Sequence, residues 1–278
     1  MTTARRADDG SWLILPALAL LLIAFVGPLI WFFAQALATE ENLLDRAVAV
    51  LTSKAVATTI VTTNWISLLV TLLVLLIGYP IAYYLANRNG LRFAAVLFCI
   101  IVPYFTSVIV RTYSWMVLLG RDGLVNQGLM AVGLTDAPVP LLYNKTGVLI
   151  GMVYVLLPYM ILTIFASMKS IDPRLVQAAR SLGAGSAYTF FRVYFPLSFH
   201  GVVSGSLIVF ILSIGFFITP ALMGGPSDVM IAMLIERAVE ITFDWTSAAI
   251  MSLLLLIITL LLYAVYYRVT DVRRMMGG

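Results

Sequence analysis

Long apolar runs dominate the chain, and short polar segments punctuate them. The first run extends from Trp12 to Leu37, behind Arg5 and Arg6. The others cover about Thr62 to Ala86, Phe93 to Leu119, Gly147 to Met168, Gly201 to Met223 and Trp245 to Tyr267. Each is close to the roughly 20 residues that a helix needs to cross a bilayer, so the pattern predicts an all-α integral membrane protein with six transmembrane helices. Prolines sit inside several runs, where neighbouring helices can satisfy the freed backbone. Gly27-Pro28 predicts a kink in the first span, and Pro158 predicts an interruption of the fourth. A cleavable leader competes for the first run, because Ala36-Leu37-Ala38 resembles a cleavage site. The run exceeds the roughly 7–15 apolar residues of a leader core, and we read it as an uncleaved span.

Amphipathic patterns fill some of the gaps. Leu44, Ala47, Val48 and Leu51 recur at helical spacing within Glu40 to Ile60, which predicts a short surface helix outside the membrane. Ile231, Leu234, Ile235, Ala238 and Ile241 predict a second one, whose other face holds Glu236, Arg237 and Glu240. Gly120 to Thr146, rich in Gly, Asp and Pro, reads as a loop.

The most informative polar segment is Lys169 to His200. Asp172 can cap a helix that starts at Pro173, where a missing N–H loses nothing. Leu175, Ala178, Ala179 and Leu182 then form one apolar stripe, and Gly183 stands where a left-handed C-cap belongs. Ser186 is placed to cap a second short helix carrying Phe190, Phe191, Tyr194 and Phe195, with Pro196 as its stop. Two short helices joined by Gly-Ala-Gly between membrane spans suggest a docking element rather than a catalytic site.

Composition agrees with the membrane reading. Of 278 residues, 62% are hydrophobic and 11% charged, with a mean hydropathy of +1.04, which excludes an ordinary soluble domain. No soluble second domain is visible, so soluble work falls to partners. Cys99 is the single cysteine and cannot form an intrachain disulfide. The net charge of +4 is divided by membrane side and is no signal for nucleic acid. Arg5, Arg6, Arg88, Arg92, Lys169, Arg174, Arg180, Arg192, Arg268, Arg273 and Arg274 fall on one side, eleven against the five (Arg46, Lys54, Arg121, Lys145 and Arg237) on the other. Cytoplasmic segments carry the Lys and Arg excess, so both termini and the Lys169–His200 loop are expected in the cytoplasm.

Candidate chemistry is sparse. Lys145-Thr146 is the nearest approach to the end of a phosphate-binding loop, but Asn144 replaces the required Gly and no glycine-rich cradle precedes it. With one His, His200 at the inner boundary, and one Cys, no metal or nucleophile constellation forms. Arg111 is the one charge inside a span, and none of the spans contains Asp or Glu. Intramembrane ionisable residues face a cavity or a partner. Arg111 therefore either lines a solute pathway or holds backbone carbonyls freed by a nearby Pro or Gly. Aromatic residues such as Tyr113, Trp115, Phe216 and Phe217 could meet a cation through their ring faces, or could be ordinary packing and lipid-facing residues.

The run Gln177-Ala178-Ala179, Gly183, Phe190 or Phe191 and Leu197 after Pro196 resembles the EAA loop of membrane subunits of ATP-binding-cassette importers. Gln177 replaces the usual Glu, keeping length and hydrogen-bonding capacity without the charge. The stretch Arg111 to Trp115, and that from Gly215 through Phe216, Phe217, Thr219 and Pro220 to Pro226, is similar to the polyamine-type branch of these permeases. The resemblance covers about Thr62 to Arg268 and implies a type I importer permease fold. We divide the chain into 1–61 (tail, first span and periplasmic segment), 62–268 (permease domain, with the coupling loop at 169–200) and 269–278 (cytoplasmic tail). It implies no cofactor on this chain, ATP and Mg on two partner ATPase subunits, a second homologous permease, a periplasmic solute-binding protein, and a bacterial inner membrane location. The solute implied is a polyamine or related compound; the same branch also serves opines, phosphonates and other small anions. An ion-coupled secondary carrier is the rival class, disfavoured by the lack of intramembrane carboxylates. An intramembrane enzyme would need a metal or nucleophile set.

Overall fold

The computed structural model describes residues 15–38 and 42–276. Arg5, Arg6, Trp12 and Glu40 lie outside the described residues. The described residues are helical in order: α1 (Leu15–Leu21), α2 (Gly27–Ala38), α3 (Leu43–Thr52), α4 (Lys54–Ala86), α5 (Leu91–Tyr104), α6 (Val108–Leu119), α7 (Leu124–Ala131), α8 (Lys145–Lys169), α9 (Pro173–Ser181), α10 (Ser186–Thr189), α11 (Phe195–Ile214), α12 (Ile218–Met223), α13 (Ile231–Glu240) and α14 (Trp245–Met276). A π turn at Leu22–Val26 joins α1 to α2, and another at Phe190–Tyr194 joins α10 to α11.

Among the described residues, five continuous helical stretches are long and apolar enough to cross a membrane: Leu15–Ala38, Lys54–Ala86, Lys145–Lys169, Ser186–Ile214 and Trp245–Ala264. The pair Leu91–Tyr104 and Val108–Ala131, bent by 102°, makes a sixth if counted as one broken span.

Three helices, α4, α8 and α11, pack against one another as the central body. Ile66, Val70 and Val74 of α4 meet Met152, Leu156, Met160 and Ile164 of α8 and Val209 of α11 in one buried cluster. Lipid tails are as apolar as these side chains, so close van der Waals packing rather than water exclusion holds them. A second cluster joins Val56 of α4, Ile231 and Ala238 of α13, and Ala248 and Met251 of α14. Thr63 ties the two bodies, accepting the Ile231 N–H at 2.8 Å while donating to Thr59 O at 2.7 Å.

Several elements depart from the sequence expectation for identifiable reasons. The third run breaks at 105–107 instead of continuing to Leu119, because the chain turns after Pro103 while its hydropathy does not change. The fifth helix ends at Ile214, Gly215–Phe217 forms a break, and α12 is a separate short helix. Pro158 does not interrupt α8; it is buried in a continuous 25-residue helix. Neither does Pro196 stop a helix. The π turn at Phe190–Tyr194 precedes it, with Phe195 N–H bonded to Phe190 O, and that wider turn relieves the clash a proline ring makes with the preceding turn. Leu22–Val26 stands in the same relation to Gly27-Pro28, so the expected kink takes the form of a π turn. Helix α4 begins at Lys54, ahead of Thr62, and α7 occupies part of the expected Gly120–Thr146 loop. Asn126 pins that region: its amide donates to Gly120 O at 3.0 Å and Val139 O at 3.1 Å, and its oxygen accepts Val139 N–H at 2.9 Å.

Candidate docking helix and buried arginine

Helix α9 is bounded as local chemistry dictates. Asp172 Oδ1 accepts the Arg174 N–H at 2.9 Å, with Pro173 in the first turn. At the other end Gly183 takes φ +84°. Its N–H bonds to Arg180 O at 3.0 Å and that of Ala184 to Ala179 O at 3.1 Å, the paired bonds of a Schellman cap. A Cβ at Gly183 would meet nothing within 4 Å, so the glycine serves backbone conformation, not space.

Most of the apolar stripe is left uncovered among the described residues. Leu175 is 48% exposed and Leu182 is 89% exposed; Gln177 and Ala178 are exposed, and Ala179 is half-buried. Val176, which flanks the stripe next to Ala179, packs against the main core. The helix thus sits on the bundle along one edge and leaves most of the stripe uncovered.

Aromatic side chains fix the loop to the spans. Phe190 lies edge-on to Tyr83 at 5.3 Å and to Tyr79 at 6.2 Å, whereas Phe191 is exposed. Tyr79 shares a hydrogen bond with Ser198 at 2.9 Å, and Asn87 Nδ2 donates to the Tyr194 hydroxyl at 3.3 Å. Pro196 is exposed in the first turn of α11. Ser186 is not a cap: Gly185 holds the N-cap position and no side chain bonds there.

Arg111 lies on α6 and is 8% exposed. Its Nε finds no hydrogen-bond acceptor among the described residues, a costly condition for a buried charged group. Tyr104 of α5 and Tyr159 of α8 pack edge to face, with ring centroids 5.3 Å apart. Next to Arg111, the Thr112 and Thr219 hydroxyls meet at 3.0 Å, which joins α6 to α12. Thr219 and Pro220 are buried. Gly151 of α8 permits this approach, since a Cβ there would lie 2.5 Å from Thr219 Cγ2 and 2.9 Å from Met223 Sδ.

The remaining aromatic candidates do not converge. Trp115 packs edge-on against Tyr154 at 5.4 Å and Phe216 against the core, while Tyr113 and Phe217 point outward. His200 is exposed on α11. Sequence reasoning missed Thr112, Tyr104 and Tyr159, which carry no special spacing, and it missed Asp228. That carboxylate is 1% exposed and accepts the Gly225 N–H at 3.0 Å. It belongs to a connection, not a span, and the connection folds into the bundle through Met230, part of the main core.

Among the described residues, α9 is a capped, exposed helix standing on a bundle of membrane-spanning helices. The overall fold matches a bacterial ABC transporter involved in the import of the acidic polysaccharide alginate, with a TM-score of 0.69, 20% identity, and coverage of 94% of this chain and 95% of that one. Residues 75–273 match the family of binding-protein-dependent transport system inner membrane components, and the chain belongs to that family. It is 35% identical over 202 residues to the spermidine/putrescine transport system permease protein PotB of Escherichia coli K12, covering 73% of this chain and 74% of the relative. The Haemophilus influenzae PotB is 35% identical over 198 residues, 71% of this chain and 69% of the relative. The E. coli inner membrane ABC transporter permease protein YdcU is 29% identical over 244 residues, 76% of this chain and 77% of that protein. The chain is accordingly a non-enzymatic permease subunit of an ABC importer in the bacterial inner membrane, without a cofactor of its own.

Proposed function

We propose that this subunit forms half of the membrane path of a polyamine importer. Six spans cross the membrane with both termini in the cytoplasm, and α9 docks into an ATPase subunit there. A second, homologous permease completes the path, two ATPase subunits drive it with ATP and Mg, and a periplasmic protein delivers the solute. ATP-driven closure of the ATPases moves α9 as a lever and switches the spans between outward and inward access. The observation that carries the coupling is the stripe of Leu175, Ala178 and Leu182, capped at both ends and uncovered by this chain. The 35% identity to spermidine/putrescine permeases supports the solute class.

In this reading Arg111 is a positioning charge buried on α6, away from the solute. A second reading rests on the Nε of Arg111 without an acceptor: an anionic solute would supply one. Uptake by vesicles containing the whole complex decides between them. Radiolabelled spermidine or putrescine taken up with ATP inside supports the polyamine reading. Uptake of a small phosphonate or carboxylate, with neither polyamine transported, replaces it with the anionic one.

A further inference from the structure

A cavity of about 500 Å³ opens between α2 and the start of α14, lined by Trp31, Phe32, Phe243 and Trp245 with Asp244 and Gln35. That volume lies in the range of small-molecule sites, about 300–1,000 Å³. Phe32 and Trp245 meet edge-on at 6.1 Å, and Phe243 is held at φ +54°, a conformation that a bulky residue rarely adopts. Aromatic faces beside a carboxylate are the chemistry that recognises an ammonium group.

Two neighbouring features restrict the ligand further. Asp244 pairs with Arg46 of α3, and Arg46 and Arg237 together line a second cavity of about 330 Å³ that Asp244 also borders. A bare cation would have to compete with Arg46 for the carboxylate. A zwitterion would not, because its anionic group can take the arginine side and its ammonium the aromatic side. In addition, an apolar groove of about 250 Å³ runs between α3 and α14, lined by Leu44, Ala47, Leu51, Leu253 and Ile257. It lies one to three helical turns along α14 from Thr246, which lines the aromatic cavity, and its lining is wholly apolar, as an acyl chain requires.

We propose that this corner binds a zwitterionic phospholipid of the outer leaflet: its ethanolamine ammonium over Trp31 and Trp245 beside Asp244, its phosphate at Arg46 and Arg237, and an acyl chain in the α3–α14 groove. Charge complementarity selects this occupant, since an anionic glycerol headgroup would leave the aromatic and carboxylate side without a cation. The lipid would fix α2 to α14, where Thr246 Oγ1 already donates to Ala36 O at 2.8 Å.

The intact complex in nanodiscs of equal phosphatidylethanolamine and phosphatidylglycerol provides the test, with co-purifying lipid quantified by mass spectrometry. Retained phosphatidylethanolamine should exceed phosphatidylglycerol and should fall about tenfold in Trp31→Leu and in Asp244→Asn, the change expected for one cation–π or charge contact. Asp244 also caps α14, so Trp31→Leu, at an exposed ring, decides the matter if the other variant does not assemble. Equal retention of both lipids, or phosphatidylethanolamine unchanged in Trp31→Leu, overturns the proposal. Displacement of the lipid by millimolar spermidine also overturns it, and makes the cavity a site for the free amine. So does a cross-link from Trp31→Cys to the second permease with no lipid retained.

Discussion

Gly183 and Arg111 do different kinds of work with a single residue each. At Gly183 the backbone needs φ +84°, which costs an L-residue roughly 1–2 kcal/mol, more if it is β-branched. Gly183→Val should unseat α9 and abolish solute-stimulated ATP hydrolysis in the assembled complex while membrane insertion stays normal. Gly183→Asn, which tolerates the left-handed region, should retain most of that stimulation. Equal activity in both variants would contradict the cap. At Arg111 the polyamine reading predicts that Arg111→Gln lowers vesicle uptake no further than any loss of folded complex explains. Uptake lost at unchanged melting would instead make the guanidinium a solute contact.

Pairs of elements, not isolated helices, give the bundle its shape. Gly151→Val would place a Cβ 2.5 Å from Thr219 and push α12 off α8; overpacking of this kind typically costs about 1–3 kcal/mol. The complex should melt earlier, and cysteines replacing Thr112 and Thr219 should no longer form a disulfide in that background. On the opposite side, Arg46 and Asp244 tie α3 to α14. Burial pushes the Asp244 carboxyl up, but Ser247 N–H at 3.0 Å, the Ser247 hydroxyl and the Arg46 guanidinium outweigh it and hold it below its usual value. A depressed carboxyl contributes stability that is present above its unfolded value, about 3.9, and lost as pH falls through the folded one. The pair is partly exposed, so its contribution is at most about 1 kcal/mol. Asp244→Asn should therefore lower the melting temperature slightly at pH 7, and the difference from the native chain should begin to fade below about pH 4 and vanish once the pH is under the folded value. A difference that persists at lower pH would mean that the carboxylate charge is not its source.

Across the whole molecule, what could be read from the sequence divides along local and non-local lines. Helix α9 was legible to the residue because Asp172, Pro173 and Gly183 carry its start and stop within the helix's own neighbourhood. The long apolar runs were legible as helices for a similar reason. The breaks at 105–107 and 215–217 were not, since hydropathy continues through them and only the packing of α6 and α12 on α8 requires the chain to turn there. Asp228 and the Thr112–Thr219 contact are products of that packing, so no spacing rule announces them. Sequence likewise showed that Leu175, Ala178 and Leu182 share a face, but not whether the chain itself covers it.

Whether the uncovered face of α9 meets an ATPase subunit can be read by cysteine cross-linking. Leu182→Cys, at a position 89% exposed, should be made in a background where Cys99 is replaced by Ser. In intact cells that cysteine should resist a membrane-impermeant maleimide, and in inside-out vesicles it should react. In the assembled complex it should cross-link to the ATPase subunit. Reaction from the periplasmic side, with no cross-link to the ATPase, would contradict both the orientation and the docking role of α9.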